Sequence, residues 1–392
     1  MATSVNGDAR RIHGASSEIV RDINRRVVLN LLRARQPISR ADLARASGLQ
    51  RSTISLIVEE LIEERWIIEG PTAKLPRGRR PTILRLNEER VIIGVDVRPT
   101  RTTVALSDIN GHFSSHEVID TPSNPSAGVV ALADCILRLK SASGNRKVEG
   151  VGMSLPGRLH CDSDRLVFAP NLKWAGVDLR KPLEEATGLE VQLENAANAC
   201  VLAAVWFDHT PCRNLVVVTV SEGIGTGILV NGRLARGLSG MAGEFGHVPL
   251  DPQGPECTCG SRGCWEVFGS NRAALRYYCG GGEPCVTFLD LMTRADQGDA
   301  AAATALDRMA QALGRGMRMV VAGLDPEEIL VVGDLTRSWH RFGPVIEREV
   351  ASQVLPGGTL PKLVPVHEGG MARLRGTVAL VLQKHFAAME DS

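Results

Sequence analysis

The chain has 392 residues, 44% hydrophobic and 4% aromatic, which supplies ample apolar side chain for two or three domains with sizeable cores. No apolar run approaches the length of a membrane span, and the start MATSVNGDARR lacks a signal-peptide core, so membrane insertion and export are excluded as expectations. The net charge of +1 decides little, but its distribution decides more: residues 1 to 88 hold 16 Lys+Arg against 10 Asp+Glu, and the remainder 29 against 34. A basic front on a mildly acidic body points to an N-terminal module for a polyanion. Of the nine cysteines, Cys135, Cys161, Cys200, Cys212, Cys279 and Cys285 are scattered, mostly among apolar neighbours. That usage fits a reducing cytoplasm, the expected localisation. No internal repeat suggests a solenoid.

Residues 1–15 are polar and small and read as a disordered tail. From Ser17 the pattern is helical: Ile19, Ile23, Val27 and Leu31 recur every four residues, widened by Val20, Val28 and Leu32. Gln36-Pro37 ends that helix. Ser39-Arg40-Ala41-Asp42 is a capping box opening a short helix to Gly48, and Gln50-Arg51-Ser52-Thr53 opens a longer one with Ile54, Ile57, Val58 and Leu61 on one face. Helix, short helix, glycine-containing turn and helix make the helix-turn-helix plan. The N-terminal end of its third helix faces the major groove, which puts Gln50, Arg51, Ser52, Thr53 and Ser55 within reach of bases or phosphates. Two short apolar strands then flank Leu75-Pro76-Arg77-Gly78-Arg79-Arg80-Pro81, a basic tip like that of a wing, whose Arg77, Arg79 and Arg80 suit a minor groove. The plainer alternative is a three-helix segment packing on a protein, with solvated arginines. The apolar spacing, the turn and the basic tip agree on double-stranded DNA, so residues 16–88 are read as a winged helix-turn-helix domain.

Near residue 90 the pattern changes. Val91–Val97, Thr103–Leu106 and Phe113–Ile119 read as strands, Ser126–Leu139 as a helix and Val148–Met153 as a strand. This strand-rich opening followed by alternation gives an α/β class, as in the actin-like, ribonuclease-H-like ATPase fold. Glu190–Leu193 reads as a strand feeding a helix to Phe207, and Val216–Val220 as another strand. Asn231-Gly232 is a hairpin turn. Phe268–Tyr278 and Ala300–Val321 read as helices, Ile329–Val332 as a strand, and Trp339–Gln353 and Ala372–Phe386 as the last helices around a strand at Leu363–Val366.

Residues 241–266, MAGEFGHVPLDPQGPECTCGSRGCWE, carry the chemistry. Cys257, Cys259 and Cys264 fall within eight positions, and His247 lies ten residues upstream of the first. Three thiolates and an imidazole form a complete tetrahedral shell for structural Zn2+, with no position left for a reacting water. The alternative is three buried cysteines in an irregular loop, which the compact C-x-C-G-x-x-G-C spacing disfavours. Glu244 and Glu266 bracket the stretch, and paired carboxylates in a rigid loop are the acceptors that a polyhydroxylated ligand needs.

This stretch resembles the ROK family of sugar repressors and sugar kinases. Its signature, GE-x-GH followed by C-x-C-G-x-x-G-C-x-E, is matched at Gly243, Glu244, Gly246, His247, Cys257, Cys259, Gly260, Gly263, Cys264 and Glu266. The resemblance implies a two-lobed body over residues 89–392 with a zinc loop at 247–264, and a sugar contacted by Asn171, Asn195, Glu244, His247 and Glu266. It also marks departures. ROK kinases carry D-x-G-G-T-K where this chain has Asp96-Val97-Arg98-Pro99-Thr100-Arg101, so Pro99 removes an amide donor and Arg98 adds bulk. Their E-N-D-x-N-A is here Glu194-Asn195-Ala196-Ala197-Asn198-Ala199, with alanine at the position of the proton-accepting aspartate. Asp334 stands where the kinases keep glycines beside adenosine. Ser221–Gly227 resembles the family's second phosphate loop and reads as inherited scaffold. The expectation is therefore a non-enzymatic, sugar-responsive repressor, a homodimer or homotetramer on operator DNA. Two alternatives stay open: a ROK kinase with a fused DNA module, and a repressor controlled by a protein partner instead of a sugar.

Overall fold

The computed structural model describes residues 17–72, 82–160, 165–169, 171, 172, 174, 176–208, 210–281, 285–352, 357–367 and 369–386. The expected tail, the wing-tip residues Arg77, Arg79 and Arg80, and Cys161 lie outside them. The chain divides into two compact units: one takes the residues up to Asn87 with the chain from Gln383 onward, the other Glu88–Leu382.

The first unit contains α1 (Ser17–Arg35), β1 (Ile38–Ser39), α2 (Arg40–Ser47), α3 (Arg51–Glu63), β2 (Ile67–Thr72) and β3 (Thr82–Leu86). Antiparallel pairing gives the order β1-β3-β2, the sheet of a winged module. Ser39 caps α2 by accepting from the Asp42 amide at 3.2 Å, and Gly48 closes it in the left-handed conformation. Leu43, Ile54, Val58 and Leu61 meet Val28, Leu29 and Leu32 in the core. One expectation is corrected here. Val20, Ile23 and Val27 are exposed, and the inward face of α1 is Val28, Leu29 and Leu32. A run read every fourth residue drifts about 40° per step around a 3.6-residue helix, so it leaves the face on which it started. Trp66 meets Phe386 edge-on at 5.7 Å, and the Asn30 side chain donates to the Phe386 carbonyl at 2.9 Å, which ties the chain's far end into this unit.

The second unit holds two five-stranded sheets of one design. The first half runs β4 (Arg90–Val97), β5 (Arg101–Asp108), β6 (Phe113–Asp120), α4 (Pro125–Ala142), β7 (Lys147–Leu155), β8 (Arg158–Leu159), β9 (Leu166–Phe168), α5 (Arg180–Thr187), β10 (Val191–Asn195) and α6 (Ala196–Trp206). Its order β10-β7-β4-β5-β6 joins an antiparallel meander to two parallel strands. The second half runs β11 (Leu215–Val220), β12 (Ile224–Val230), β13 (Arg233–Leu234), α7 (Trp265–Gly269), α8 (Asn271–Tyr278), α9 (Phe288–Asp296), α10 (Ala300–Leu324), β14 (Glu328–Gly333), α11 (Trp339–Ala351), β15 (Lys362–Val366) and α12 (Gly369–Phe386). Its order β13-β12-β11-β14-β15 repeats the same mixture. β4 and β11 are buried along their whole length, as central strands covered on both faces must be.

Three differences from the sequence reading follow from local chemistry. The helix expected at Phe268–Tyr278 is broken at Ser270, whose extended backbone and hydroxyl, accepting from the Ala273 amide at 3.3 Å, start α8 afresh. Helices α5 and α9 were not read from the sequence; α9 is set by a capping box between Thr287 and Asp290. Cys279 and Cys285, taken above as scattered thiols, are joined in a disulfide with Cα atoms 6.1 Å apart. The chain turns back after α8, and sequence spacing carries no sign of that return. Among the described residues no helix is long and apolar enough to cross a membrane.

Candidate functional site

The loop after β13 folds back on itself through narrow turns. Gly263 has φ +66°, and a Cβ there would sit 1.5 Å from the Asp251 carbonyl oxygen, so this turn admits no side chain. The effect is to bring His247, Cys257, Cys259 and Cys264 together, with all four ligand atoms within 4.8 Å of one another. The Cys259 and Cys264 sulfurs are 3.6 Å apart, as are the Cys257 sulfur and His247 Nδ1. A tetrahedral ion with bonds of ~2.3 Å to sulfur has ligand–ligand edges of about 3.8 Å, so spacing and donor set both fit zinc. Burial would raise the Cys259 thiol, but hydrogen bonds from the Ser261 amide and the neighbouring thiols overcome it and hold the group down at about 7. Burial pushes Cys264 up to about 11. A cation would therefore displace protons as it binds.

Trp265 fastens this loop to the rest of the unit. It is fully buried, and its indole N–H donates to the Ala312 carbonyl of α10 at 3.0 Å. Gly316, one turn on, leaves the room: a Cβ there would lie 2.0 Å from the indole ring.

His247 connects the cysteine–histidine cluster to a cavity. Its Nδ1 faces Cys257, while Nε2 lies 3.8 Å from Glu244. Glu266 accepts from the Cys257 thiol at 3.0 Å and lies 3.7 Å from His247 Nδ1. Burial, with His247 and Arg158 opposing it, raises Glu244 above the ordinary carboxylate range. Phe168 of β9 stands edge-on to the imidazole at 6.3 Å and restricts its tilt. Gly223 admits the Glu266 carboxylate, which would lie 2.5 Å from a Cβ at that position.

All five residues expected to contact sugar, Asn171, Asn195, Glu244, His247 and Glu266, line this one cavity. They come from loops and strand ends far apart in the chain. Asn171 is oriented by Arg272, which donates to its Oδ1 at 2.6 Å and so leaves the Nδ2 amide for a ligand. Asn195 has a second duty. Its Oδ1 caps α6 by accepting from the Ala197 and Asn198 amides, and its Nδ2 donates to the Gly157 carbonyl at 3.1 Å. Glu194 pins the same turn, receiving Arg236 at 2.8 Å and the Asn198 side-chain Nδ2 at 3.0 Å. Ala196 is the first residue of α6 and lines the cavity as a bare methyl group.

A second cavity, of about 520 Å³, adjoins the first and shares Arg98, Ser221, Glu222 and Arg373 with it. Asp334 lines it, with Arg337 3.7 Å away. Arg98 is held by Asp96 at 2.9 Å, and Asp96 also accepts from the Ser154 hydroxyl at 2.7 Å. Arg373 was not read as a site residue. Nothing in its neighbourhood in the chain marks it, and only the packing of α12 brings it here.

In the first unit, Gln50, Arg51 and Ser52 are exposed at the start of α3, and Thr53 and Ser55 are half-buried. Gln50 makes no side-chain cap bond, so its amide is available to a partner.

A model of the ROK family matches residues 92–384. The chain belongs to the ROK family. A winged helix-turn-helix DNA-binding model matches residues 21–68. The chain is 30% identical over 379 residues to a xylose repressor of Bacillus spizizenii, spanning 95% of this chain and 98% of that protein. Among solved structures it resembles a ROK family transcriptional regulator homologous to the E. coli MLC protein, with 26% identity, TM-score 0.80, and 94% and 98% of the two chains covered. It also resembles a ROK glucokinase from Streptomyces griseus in complex with glucose and AMPPNP, with 27% identity and TM-score 0.68 over 75% of this chain and 99% of that one. The family thus contains repressors and kinases, and this ROK protein is a sugar-responsive DNA-binding regulator or a kinase.

Proposed function

We propose that the chain is a sugar-responsive transcriptional repressor of carbohydrate uptake or catabolism genes, and that its ROK body binds a sugar without phosphorylating it. Ala196 carries this reading. Phosphoryl transfer to a hydroxyl requires a group that takes its proton, and a methyl group at the start of α6 cannot. Pro99 on the lining of the first cavity and Asp334 on that of the second add to it, because neither suits a polyphosphate. Likeness to the xylose repressor extends over nearly the whole chain, including the reading module, whereas likeness to the glucokinase covers 75% of it.

Residues 16–88 serve as the DNA-binding domain, with Gln50, Arg51, Ser52, Thr53 and Ser55 on the major groove and Arg77, Arg79 and Arg80 on the wing. Residues 89–392 serve as the sensing domain, with Asn171, Asn195, Glu244, His247 and Glu266 on the sugar. His247, Cys257, Cys259 and Cys264 hold structural zinc, which supplies rigidity to the loop carrying Glu244 and Glu266. A homodimer places two α3 helices in successive major grooves. The sugar changes DNA affinity only by the difference between its affinities for the two arrangements of the pair.

Gel-shift with the chain's own upstream region tests this directly. Binding should weaken with salt through counterion release and change on addition of one sugar from a panel. No hexose should be phosphorylated from ATP by the same preparation. ATP-dependent phosphorylation abolished by Glu266→Gln would replace the repressor reading with that of a kinase bearing a DNA module.

A further inference from the structure

The inward face of α3 is complete without Leu56. Ile54, Ile57, Val58 and Leu61 are buried in the core of the first unit, while Leu56 stands 61% exposed. Among the described residues of this unit it is the most exposed of the large hydrophobic side chains. A helix advances about 100° per residue, so Ser52, Leu56, Glu59 and Glu63 share the outward face, opposite the buried residues, and all are exposed. A lone exposed leucine on most surfaces means nothing. This one lies within the match to a winged helix-turn-helix, on the helix that such a module directs into the major groove.

Charge limits which part of that face can approach DNA. The first turn of α3 has no acidic residue, Arg51 and Ser52 are exposed there, and the helix dipole places partial positive charge at the same end. Glu60, and Glu64 just past the helix, are taken by Arg21 and Arg25 of α1. Glu59 and Glu63 remain on the outward face, where their charge repels phosphates. The part of α3 suited to a groove therefore runs from Arg51 to Leu56, and Leu56 is its apolar inner end.

We propose that Leu56 selects a thymine in each operator half-site by packing on its C5-methyl group. The inference rests on the DNA-binding reading above and names one base of the site. That methyl is the apolar group on the major-groove edges of the base pairs. Cytosine at the same position offers an N4 donor instead, which a leucine leaves without an acceptor, and the purines present polar edges that fare no better. Leu56 has no charge and no hydrogen-bonding group, so it adds base preference without adding a phosphate contact.

The test uses the full-length chain and a library of random duplexes. Wild type should select sites with a thymine in each half-site whose preference Leu56→Ala loses, while the other positions are kept. In the selected site, deoxyuridine in place of that thymine removes the methyl alone. Wild-type affinity should fall about four-fold per half-site, the worth of one buried methyl, and that of Leu56→Ala by less than about two-fold. The salt dependence of binding should be the same for both proteins. Should Leu56→Ala melt lower than wild type, the deoxyuridine comparison on wild type decides alone, because it alters only the DNA. Equal wild-type affinity for the thymine and deoxyuridine sites, or an equal loss in both proteins, overturns the inference and spares the DNA-binding reading; failure to select any duplex removes both. A Leu56→Ala protein that falls into smaller assemblies with its base preferences intact also overturns it, and assigns Leu56 to a contact between copies of the chain.

Discussion

The reading unit and the cavity of the ROK body are assembled in opposite ways. At the start of α3, Gln50, Arg51, Ser52, Thr53 and Ser55 are neighbours in the chain, displayed on one helical turn above a core of Ile54, Val58 and Leu61. The cavity instead gathers Asn171, Asn195, Glu244, His247, Glu266 and Arg373 from loops and helix starts spread over two hundred residues. The first arrangement tolerates change at its surface, because each contact group stands on its own. In the second, side chains hold one another: His247 touches both the cysteine cluster and Glu244, and Glu266 touches Cys257 and Gly223. A distant packing change should therefore disturb the cavity and leave the reading surface intact.

The largest effect is expected from Cys264→Ser. Loss of one ligand from a closed shell should cost bound zinc and, with it, about 3 kcal/mol or more of stability. Metal analysis together with thermal unfolding checks this, and a variant that keeps a full zinc complement would end the metal assignment. Gly316→Ala should come next, although it lines neither of the two cavities described above. The added methyl meets the Trp265 indole, so destabilisation of about 1–3 kcal/mol and a loss of sugar binding are expected from denaturant unfolding and calorimetry. Wild-type sugar affinity in this variant would show that the zinc loop does not depend on its anchor.

Arg51→Ala should invert the pattern. Operator affinity falls by about 1–3 kcal/mol, while stability stays within about 0.5 kcal/mol because the side chain is exposed. Gel-shift beside a melting curve separates the two, and an equal loss of stability would contradict the contrast.

The smallest effect is at the α2 cap. The Ser39 hydroxyl is the main influence holding Asp42 below the ordinary carboxylate range, with Arg45 assisting. Asp42→Asn should cost the reading unit about 0.5–1 kcal/mol, a modest figure because the side chain is half exposed. The lowered value means that this stabilisation is present near neutral pH and is lost as the pH falls through it, below about 4. Unfolding of both proteins should therefore converge in acid.

Much of the site was legible before the fold. The spacing of Cys257, Cys259 and Cys264 with His247 marked a group that could hold a metal, and the fold brings the four together, because ligand geometry leaves few arrangements for so short a loop. The α3 surface was legible for a similar reason, since capping and apolar period fix a short helix locally. The outward turn of Ile23 and Val27 and the break at Ser270 are set locally, by helix period and by a serine cap, and were passed over. The Cys279–Cys285 bond is different, because spacing alone does not say which thiols meet.

The residues alone determined the chemistry on offer: a cysteine–histidine shell, two carboxylates beside it, a reading helix, and an alanine where a proton acceptor would stand. The tertiary structure decided which groups share a cavity, and it alone placed Arg373 beside Arg98 and Ala196. Ligand spacing and helix periodicity act over a few residues and are written in the sequence. The approach of α12 to α6 rests on Gly376 meeting Ala199 across 177 positions, and contact at that range exists only in the folded chain.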